Sequence, residues 1–211
     1  MAEVKLSPLE ARVIAALVEK SITTPQYYPM SVNAIMLAAN QKTSRHPVMN
    51  LTEGDTGGAL LRFEEMKWCS RDPLSGRVTK WRQGFQHQLL LKLPVQALLV
   101  TLMLRGPQTL SELRANAQAL GGPGDSESMA AALQDLGDRA QPLAVLLPRA
   151  PGQKEARYVH TLCGVPENAS VASAEDLLPA PASHSANLEE RVRKLEERLA
   201  EMETKLAPLM Q

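Results

Sequence analysis

Twice along this chain, three segments with helical spacing of apolar residues are followed by two strand-like runs that flank a turn. This order constrains the fold more than any other feature, because apolar residues repeat about every 3.6 positions in amphipathic helices and every second position in strands. Three helices and then a β-hairpin are typical of a winged helix-turn-helix domain. We therefore predict an α+β, mainly α, protein with two tandem domains of this kind, at residues 1–86 and 87–164.

Capping residues mark where the helices of the first domain begin. Ser7 and Glu10 have the spacing of a capping box, in which each side chain accepts a hydrogen bond from the other residue's backbone N–H. A second helix is predicted from Ser31 and a third over about residues 50–66. The pair Gly57-Gly58 weakens the third helix, since each glycine costs roughly 1 kcal/mol relative to alanine.

The period then changes to that of strands. Residues 67–70 and 78–81 are strand-like and flank the turn residues 72–76, which predicts a β-hairpin. Trp68 and Trp81 lie at positions suited to core packing. The second domain repeats the order, with helices at 94–104, from Thr109 and from Ser126, and with strands at 144–147 and 157–162.

The C-terminal part has a different composition. Residues 165–185 are rich in Ala, Pro and Ser and are predicted to be a linker. Residues 186–209 carry a heptad pattern, which predicts a coiled-coil helix with Leu188, Val192, Leu195, Leu199, Met202 and Leu206 in its seam. Arg191 and Arg198 would meet Glu196 and Glu203 of a second copy only in parallel pairing. The alternative is a single amphipathic helix folded back on a domain.

Composition excludes several classes of protein. The chain has 23 basic and 23 acidic residues, with net charges of +3 for residues 1–86, +1 for 87–164 and −4 for 165–211. Therefore no whole-molecule field attracts nucleic acid or a membrane. Cys69 and Cys163 have no partner spacing, and the four histidines have no metal-site spacing. We predict reduced thiols, a cytoplasmic location, no membrane span, no metal or cofactor and no catalytic activity.

One polar segment is a candidate contact surface for DNA. Asn40 and Gln41 are candidate base-contacting residues, and cations near them and on the hairpin are candidates for phosphate contacts. The full predicted contact set is Asn40, Gln41, Lys42, Arg45, Arg71, Arg77, Lys80 and Arg82. The third helix argues against this function, because it is rich in acidic residues. Glu19-Lys20 is assigned to the polar face of the first helix.

Several stretches resemble the YceH-like family of uncharacterised bacterial proteins. They are 10–13, 19–20, 23–25, 28–34, 40–43, 45–51, 76–80, 104–109, 112–114 and 157–160, which together extend over nearly the whole chain. The resemblance implies tandem winged-helix domains and a bacterial cytosolic setting. It implies no established activity.

Two functional hypotheses follow from the sequence. The first is a dimeric, DNA-binding, regulator-like protein that presents two winged helices to paired half-sites. The alternative is a protein-interaction scaffold that uses winged helices as docking surfaces and a coiled coil as the dimerising element. Near-neutral charge and acidic helix faces favour the second hypothesis, because they attract phosphate weakly. A winged-helix fold does not by itself establish DNA binding.

Overall fold

The computed structural model describes residues 5–149 and 153–164. They form a mixed α+β structure of helices and two small antiparallel sheets, which confirms the α+β class predicted from the sequence. All of them fall within one compact unit. The predicted linker at 165–185 and the predicted coiled-coil helix at 186–209 lie outside the described residues.

Helix α1 (Pro8–Thr23) is the central helix of the first half. The Ser7 hydroxyl accepts a hydrogen bond from the backbone N–H of Glu10 at 3.2 Å, and the Glu10 carboxylate accepts one from the Ser7 N–H at 2.7 Å. This confirms the predicted capping box, a feature that depends only on local sequence. Residues 11–18 of α1 are all buried, so the helix has packing partners on every side.

Two further helices pack on α1. Helix α2 (Val32–Ala39) begins after Ser31, as predicted, with the Ser31 hydroxyl accepting a hydrogen bond from the Ala34 N–H. Helix α3 (Glu53–Glu65) begins a few residues later than predicted, because Thr52 supplies the capping side chain. The helix continues through its glycine pair without a break.

We expect the variant Gly57→Ala/Gly58→Ala to raise the free energy of unfolding by about 1–2 kcal/mol. A Cβ at either position meets no atom within 4 Å, so alanine adds helix propensity without a clash. Urea denaturation measures the change. Gly122→Ala is the opposite control, since its Cβ would lie 2.6 Å from the Ala117 Cβ and must destabilise the fold. A destabilised double variant would contradict the continuous helix.

The first sheet holds three short antiparallel strands in the order β1-β3-β2. They are β1 (Met30–Ser31), β2 (Cys69–Arg71) and β3 (Lys80–Gln83). The predicted hairpin is confirmed, but both of its strands begin two residues later than predicted. Strand β1 was not predicted, because two residues are too short to show an alternating pattern. Trp81 in the middle strand pairs with Met30 on one side and Arg71 on the other.

An aromatic cluster holds the hairpin against α3. The rings of Phe63 and Trp68 stack with centroids 5.7 Å apart, and Trp68 meets Phe85 edge-on at 5.0 Å. All three side chains are buried, as is Trp81, which confirms the predicted core role of both tryptophans. The base of the hairpin is therefore anchored by packing, which leaves its outer face to solvent.

The second half repeats the order of three helices and a hairpin. A short connecting helix, α4 (Phe85–Gln88), leads into the three helices α5 (Leu93–Arg105), α6 (Leu110–Ala117) and α7 (Ser126–Gly137), and the hairpin strands β4 (Ala144–Leu147) and β5 (Arg157–His160) follow. Strands β4 and β5 pair antiparallel. Thr109 caps α6 as predicted, whereas α4 was not predicted.

Helix α5 is the central helix of the second half and packs against α1. Residues 95–104 of α5 are buried without interruption, including the polar Gln96 and Thr101. Because both central helices are buried on all faces, the two halves share a core at the contact between α1 and α5. In the described part of the chain, no helix combines the length and apolar character needed to cross a bilayer.

Candidate functional site

The structure uses Asn40 to fix the loop that precedes α3. Its side-chain amide donates to the carbonyl oxygen of Leu51 at 2.9 Å, and its side-chain oxygen accepts from the Leu51 N–H at 2.8 Å. Both polar groups of the carboxamide are therefore occupied within the fold. Asn40 therefore has a structural role in this loop, and its role as a base-contacting residue stays a prediction.

Arg45 is also drawn into the fold. Its guanidinium forms a bidentate ion pair with Glu19, at 2.5 and 3.0 Å, and its Nη2 donates to the Ala38 carbonyl at 2.8 Å. The Arg45 side chain is 0% exposed and that of Glu19 only 13%. Arg45 is therefore removed from the predicted phosphate contacts, and Glu19 is not simply part of a solvated helix face.

The other two members of this segment differ from each other. Gln41 is partly buried, and its side-chain oxygen accepts a hydrogen bond from Arg45 at 3.3 Å. Lys42 is exposed and makes no ion pair with any residue of 5–149 or 153–164. Of the predicted contacts in this loop, Lys42 alone keeps a fully exposed charge.

We use the name hairpin cations for Arg71, Arg77, Lys80 and Arg82. All four are exposed. Arg71 pairs with Glu64 at 3.0 Å and lies over the Trp81 ring, while Arg82 pairs with Asp72 at 2.8 Å and lies over the Tyr28 ring. The hydrogen bond that Arg82 donates to the Asp72 carboxylate raises the pKa of Arg82. Stacking on an aromatic ring orients a guanidinium without removing its charge.

Arg77 and Lys80 complete the hairpin cations and have no acidic partner in the described part of the chain. Between residues 69 and 83 the only acidic residue is Asp72, against four cations. The structure therefore brings together the four predicted hairpin contacts on one exposed β-hairpin. It does not bring Asn40 or Arg45 to that surface.

The exposed side of α3 carries the opposite charge. Glu53 accepts a hydrogen bond from the Asn33 amide at 2.5 Å, and Asp55 completes the capping box at Thr52. The helix cation, Arg62, is paired with Glu10 at 2.5 Å. Because its acidic residues outnumber its one cation, α3 is a poor partner for a phosphate backbone.

Sequence reasoning missed a buried charge cluster beneath this region. Arg12, in α1, is 1% exposed and donates to the carbonyl oxygens of Pro47 at 2.8 Å, Ala39 at 3.4 Å and Leu104 at 3.4 Å. Burial, and then the nearby charge of Arg45, lower the pKa of Arg12 to about 10. The available signal was an arginine inside an apolar run of α1, at residues 11–18.

A polar cleft of about 380 Å³ opens beside this cluster. Its walls come from both halves of the fold: Ser44, Arg45, His46, Arg105, Pro107, Gln108, Glu112, Asn116 and Arg157. The His46 N–H donates to the Leu104 carbonyl at 2.8 Å, and Arg105 donates to the Ser44 hydroxyl at 2.7 Å. These bonds join the loop after α2 to the end of α5.

The far wall of the cleft holds a second ion pair. Arg157 Nη1 lies 2.7 Å from a carboxylate oxygen of Glu112 and also donates to the Pro107 carbonyl at 3.2 Å. Hydrogen bonding from the Thr109 backbone and from Arg157 lowers the pKa of Glu112, so this carboxylate is ionised at neutral pH. Four of the sequence stretches that carry the family resemblance, 45–51, 104–109, 112–114 and 157–160, therefore meet at one cleft.

The described residues contain neither a cysteine with a lowered pKa nor a group of side chains arranged to bind a metal ion. Burial raises the pKa of Cys69 to about 12, so it is a neutral thiol. Burial also raises the pKa of Cys163. Within residues 5–149 and 153–164, no group of three or more His, Cys, Asp and Glu side chains has the arrangement needed to hold a metal ion.

Comparison with known proteins gives a consistent result. The sequence profile of the family described as "Protein of unknown function, DUF480" matches residues 6–153. A UPF0502 protein of Burkholderia orbicola (strain MC0-3) is 45% identical over 173 residues, which cover 81% of this chain and 72% of the relative. A UPF0502 protein of Azoarcus sp. (strain BH72) is 44% identical over 200 residues, covering 90% of this chain and 86% of the relative. The resemblance to an uncharacterised bacterial family is thereby confirmed.

Proposed function

The chain belongs to the DUF480 family of proteins of unknown function, and we propose that it is a winged-helix protein that binds duplex DNA as a homodimer. The element order supports the winged-helix assignment, since three helices precede a hairpin in each half. In this proposal, the domains are residues 1–86 and 87–164, and only the first contacts DNA.

The hairpin cations carry the proposal. A winged-helix domain places its hairpin beside the helix that approaches the duplex, so exposed arginines and lysines there contact phosphates. Arg77 and Lys80 offer unpaired charges, and Arg71 and Arg82 are oriented by Trp81 and Tyr28. Residues 69–83 hold four cations and one acidic residue, so this hairpin has a net positive charge.

The charge of α3 limits how the duplex is contacted. Glu53 and Asp55 stand at the helix N-terminus, the end that contacts bases in helix-turn-helix proteins. Carboxylates at that end repel phosphate, and Glu53 is already held by Asn33. We therefore propose contacts led by the hairpin, in which affinity comes from the backbone of the duplex and sequence preference is weak. Lys42 would add one phosphate contact.

Dimerisation in this proposal depends on the C-terminal heptads. Seam residues at a and d supply apolar contact, and the pairs Arg191–Glu196 and Arg198–Glu203 favour the parallel orientation. Two copies bring two hairpins to one duplex, which strengthens binding because the second contact becomes intramolecular. The length of the predicted linker leaves the spacing between half-sites variable.

The salt dependence of duplex binding tests the proposal. We expect the full chain to bind a duplex of mixed sequence at low salt, with log K falling linearly with log salt concentration. Arg77→Ala/Lys80→Ala should reduce the steepness of that line by about 2 and weaken binding roughly tenfold near physiological salt, because two phosphate contacts are lost. Fluorescence anisotropy at several salt concentrations measures both quantities.

A matched control removes two exposed cations from the second half. Arg149→Ala/Lys154→Ala changes the net charge equally, yet should leave the salt dependence unchanged. Equal losses for both double variants would show that net charge rather than the first hairpin determines binding. Binding that is absent, or insensitive to salt, would overturn the DNA proposal.

A protein-interaction scaffold is the second candidate. The acidic exposed side of α3 and the near-neutral charge of the whole chain favour it. On this view the first half presents a mixed-charge surface to a folded partner rather than to phosphate. The duplex titration separates the two candidates, because a docking module gives no salt-dependent binding of DNA.

A further inference from the structure

We propose that the polar cleft between the loop after α2 and the end of α5 binds the phosphate group of a small molecule. The cleft lies apart from the hairpin in sequence and is formed by different residues, so this site is independent of the proposed DNA contact. The charge of the cleft, its hydrogen-bond donors and its size all match such a ligand.

Positive charge at the cleft exceeds negative charge. Arg45 is neutralised by Glu19, and Arg157 by Glu112. Arg12 and Arg105 have no carboxylate within 4.0 Å among the described residues.

Two guanidinium groups therefore lack a contacting carboxylate, and one of them, Arg12, is almost completely buried, with Glu19 as the more distant carboxylate whose charge acts on it. A buried charge without a partner is costly, so an anion nearby stabilises the folded state. A phosphate monoester carries close to two negative charges and matches this excess.

Arg12 is coupled to the cleft through the backbone. It donates to the carbonyl oxygens of Pro47 and Leu104, which directly adjoin the cleft residues His46 and Arg105. Its Nε has no hydrogen-bond partner. The buried cation is therefore bonded to the backbone of two segments that line the cleft, in an interior where interactions between charges are less screened than at the surface.

Donor groups in the cleft suit a phosphate. Arg105 uses one Nη to hold Ser44, which leaves further N–H groups of its planar fork for an oxyanion. His46 and Ser44 are exposed at the same edge. Arginine forks match the oxygen spacing of phosphate in two-point contacts, which a point charge cannot do. Arg105 is accordingly the residue expected to contribute most to binding.

The size of the cleft restricts the ligand class. A volume of about 380 Å³ is at the lower end of the range for small-molecule sites. Gln108 and Asn116, joined by a hydrogen bond of 2.6 Å, supply polar groups along the same wall. We infer a phosphorylated small molecule of sugar-phosphate to nucleotide size, with its phosphate at Arg105 and its polar remainder toward Gln108.

Titration of the full chain with inorganic phosphate tests the proposal. Isothermal titration calorimetry is carried out with sodium chloride added to keep ionic strength constant. We expect saturable one-site binding that Arg105→Gln weakens at least tenfold and that Arg105→Lys weakens less, because lysine keeps the charge but not the fork. Arg77→Gln removes an exposed hairpin cation and should leave phosphate binding unchanged.

Equal losses for Arg105→Gln and Arg77→Gln, or no saturation below tens of millimolar phosphate, would overturn the site. Arg157→Gln should also weaken binding and serves as the second variant if Arg105→Gln fails to fold. If a short duplex displaces phosphate and Arg105→Gln weakens duplex binding, the cleft contacts DNA backbone, and the small-molecule proposal is wrong. If only the hairpin variants lose duplex binding and Arg105→Gln keeps it, the small-molecule proposal is supported.

Discussion

Glu19→Gln is expected to lower the free energy of unfolding by about 3–5 kcal/mol, the range measured when one partner of a buried ion pair is removed. Glu19 is the carboxylate that neutralises the fully buried guanidinium of Arg45, at 2.5 Å. The charge of Arg12 interacts with those of both Arg45 and Glu19. The substitution therefore leaves two buried guanidinium groups with no acidic partner, while the shape of the side chain hardly changes.

Equilibrium urea denaturation followed by circular dichroism measures this loss. Glu64→Gln is the matched control, because it removes the same charge from an exposed pair with Arg71, for which we expect less than about 1 kcal/mol. A loss for Glu19→Gln no greater than that of the control would show that water already screens the charges of Arg12 and Arg45. In that case, the electrostatic basis of the cleft would have to be revised.

The second large effect concerns self-association. Leu199→Asp is expected to convert the predicted dimer into a monomer, because Leu199 is an a-position residue at the centre of the predicted seam. An ionised carboxylate in an apolar seam loses hydration without gaining a partner. With about three heptads, the seam has few other apolar layers to compensate. Sedimentation velocity over a range of concentrations measures the change in mass.

Thr204→Asp is the corresponding control. It adds the same charge at the f position of the same predicted helix, which faces away from a partner in a coiled coil. We expect this variant to sediment as the wild-type protein does. If Leu199→Asp also remains dimeric, the seam lies elsewhere in the chain. A wild-type monomer would support the alternative of a helix folded back on a domain.

Together, these experiments would separate three properties of the chain. We propose that the hairpin cations contact DNA and that the cleft near Arg105 binds a phosphorylated small molecule. The heptads are proposed to form the dimer. The hairpin variant and Arg105→Gln each change one readout, whereas Leu199→Asp changes assembly and, through it, the affinity for the duplex. A small molecule bound between the two halves could alter duplex affinity only by favouring one arrangement of the shared core. Phosphate-dependent duplex binding would reveal that coupling.

Local features of the fold could be predicted well from the sequence. The starts of α1 and α6 follow from capping boxes, Ser7 with Glu10 and Thr109 with Glu112, whose members are three residues apart. The order of helices and hairpins follows from apolar periodicity in the same way. These features depend on neighbouring residues, so they require no knowledge of the tertiary contacts.

Features that depend on distant residues could not be predicted. Strand β1 has two residues and exists because Met30 pairs with Trp81, more than fifty positions later. The two-residue shift of the hairpin strands has the same origin, since register is set by pairing and by burial of Trp81. Sequence pattern alone located the hairpin and not its edges.

The order of three helices and a hairpin is therefore determined by local sequence patterns, and it is the feature that the sequence predicts best. What only the tertiary structure decided is which polar residues of that order remain at the surface. Arg45 belongs to a polar segment and looked exposed, yet it pairs with Glu19, 26 residues away, and Asn40 is used to hold Leu51. Whether a cation is exposed depends on whether packing brings an acidic partner to it. No local sequence pattern shows which distant residues come into contact.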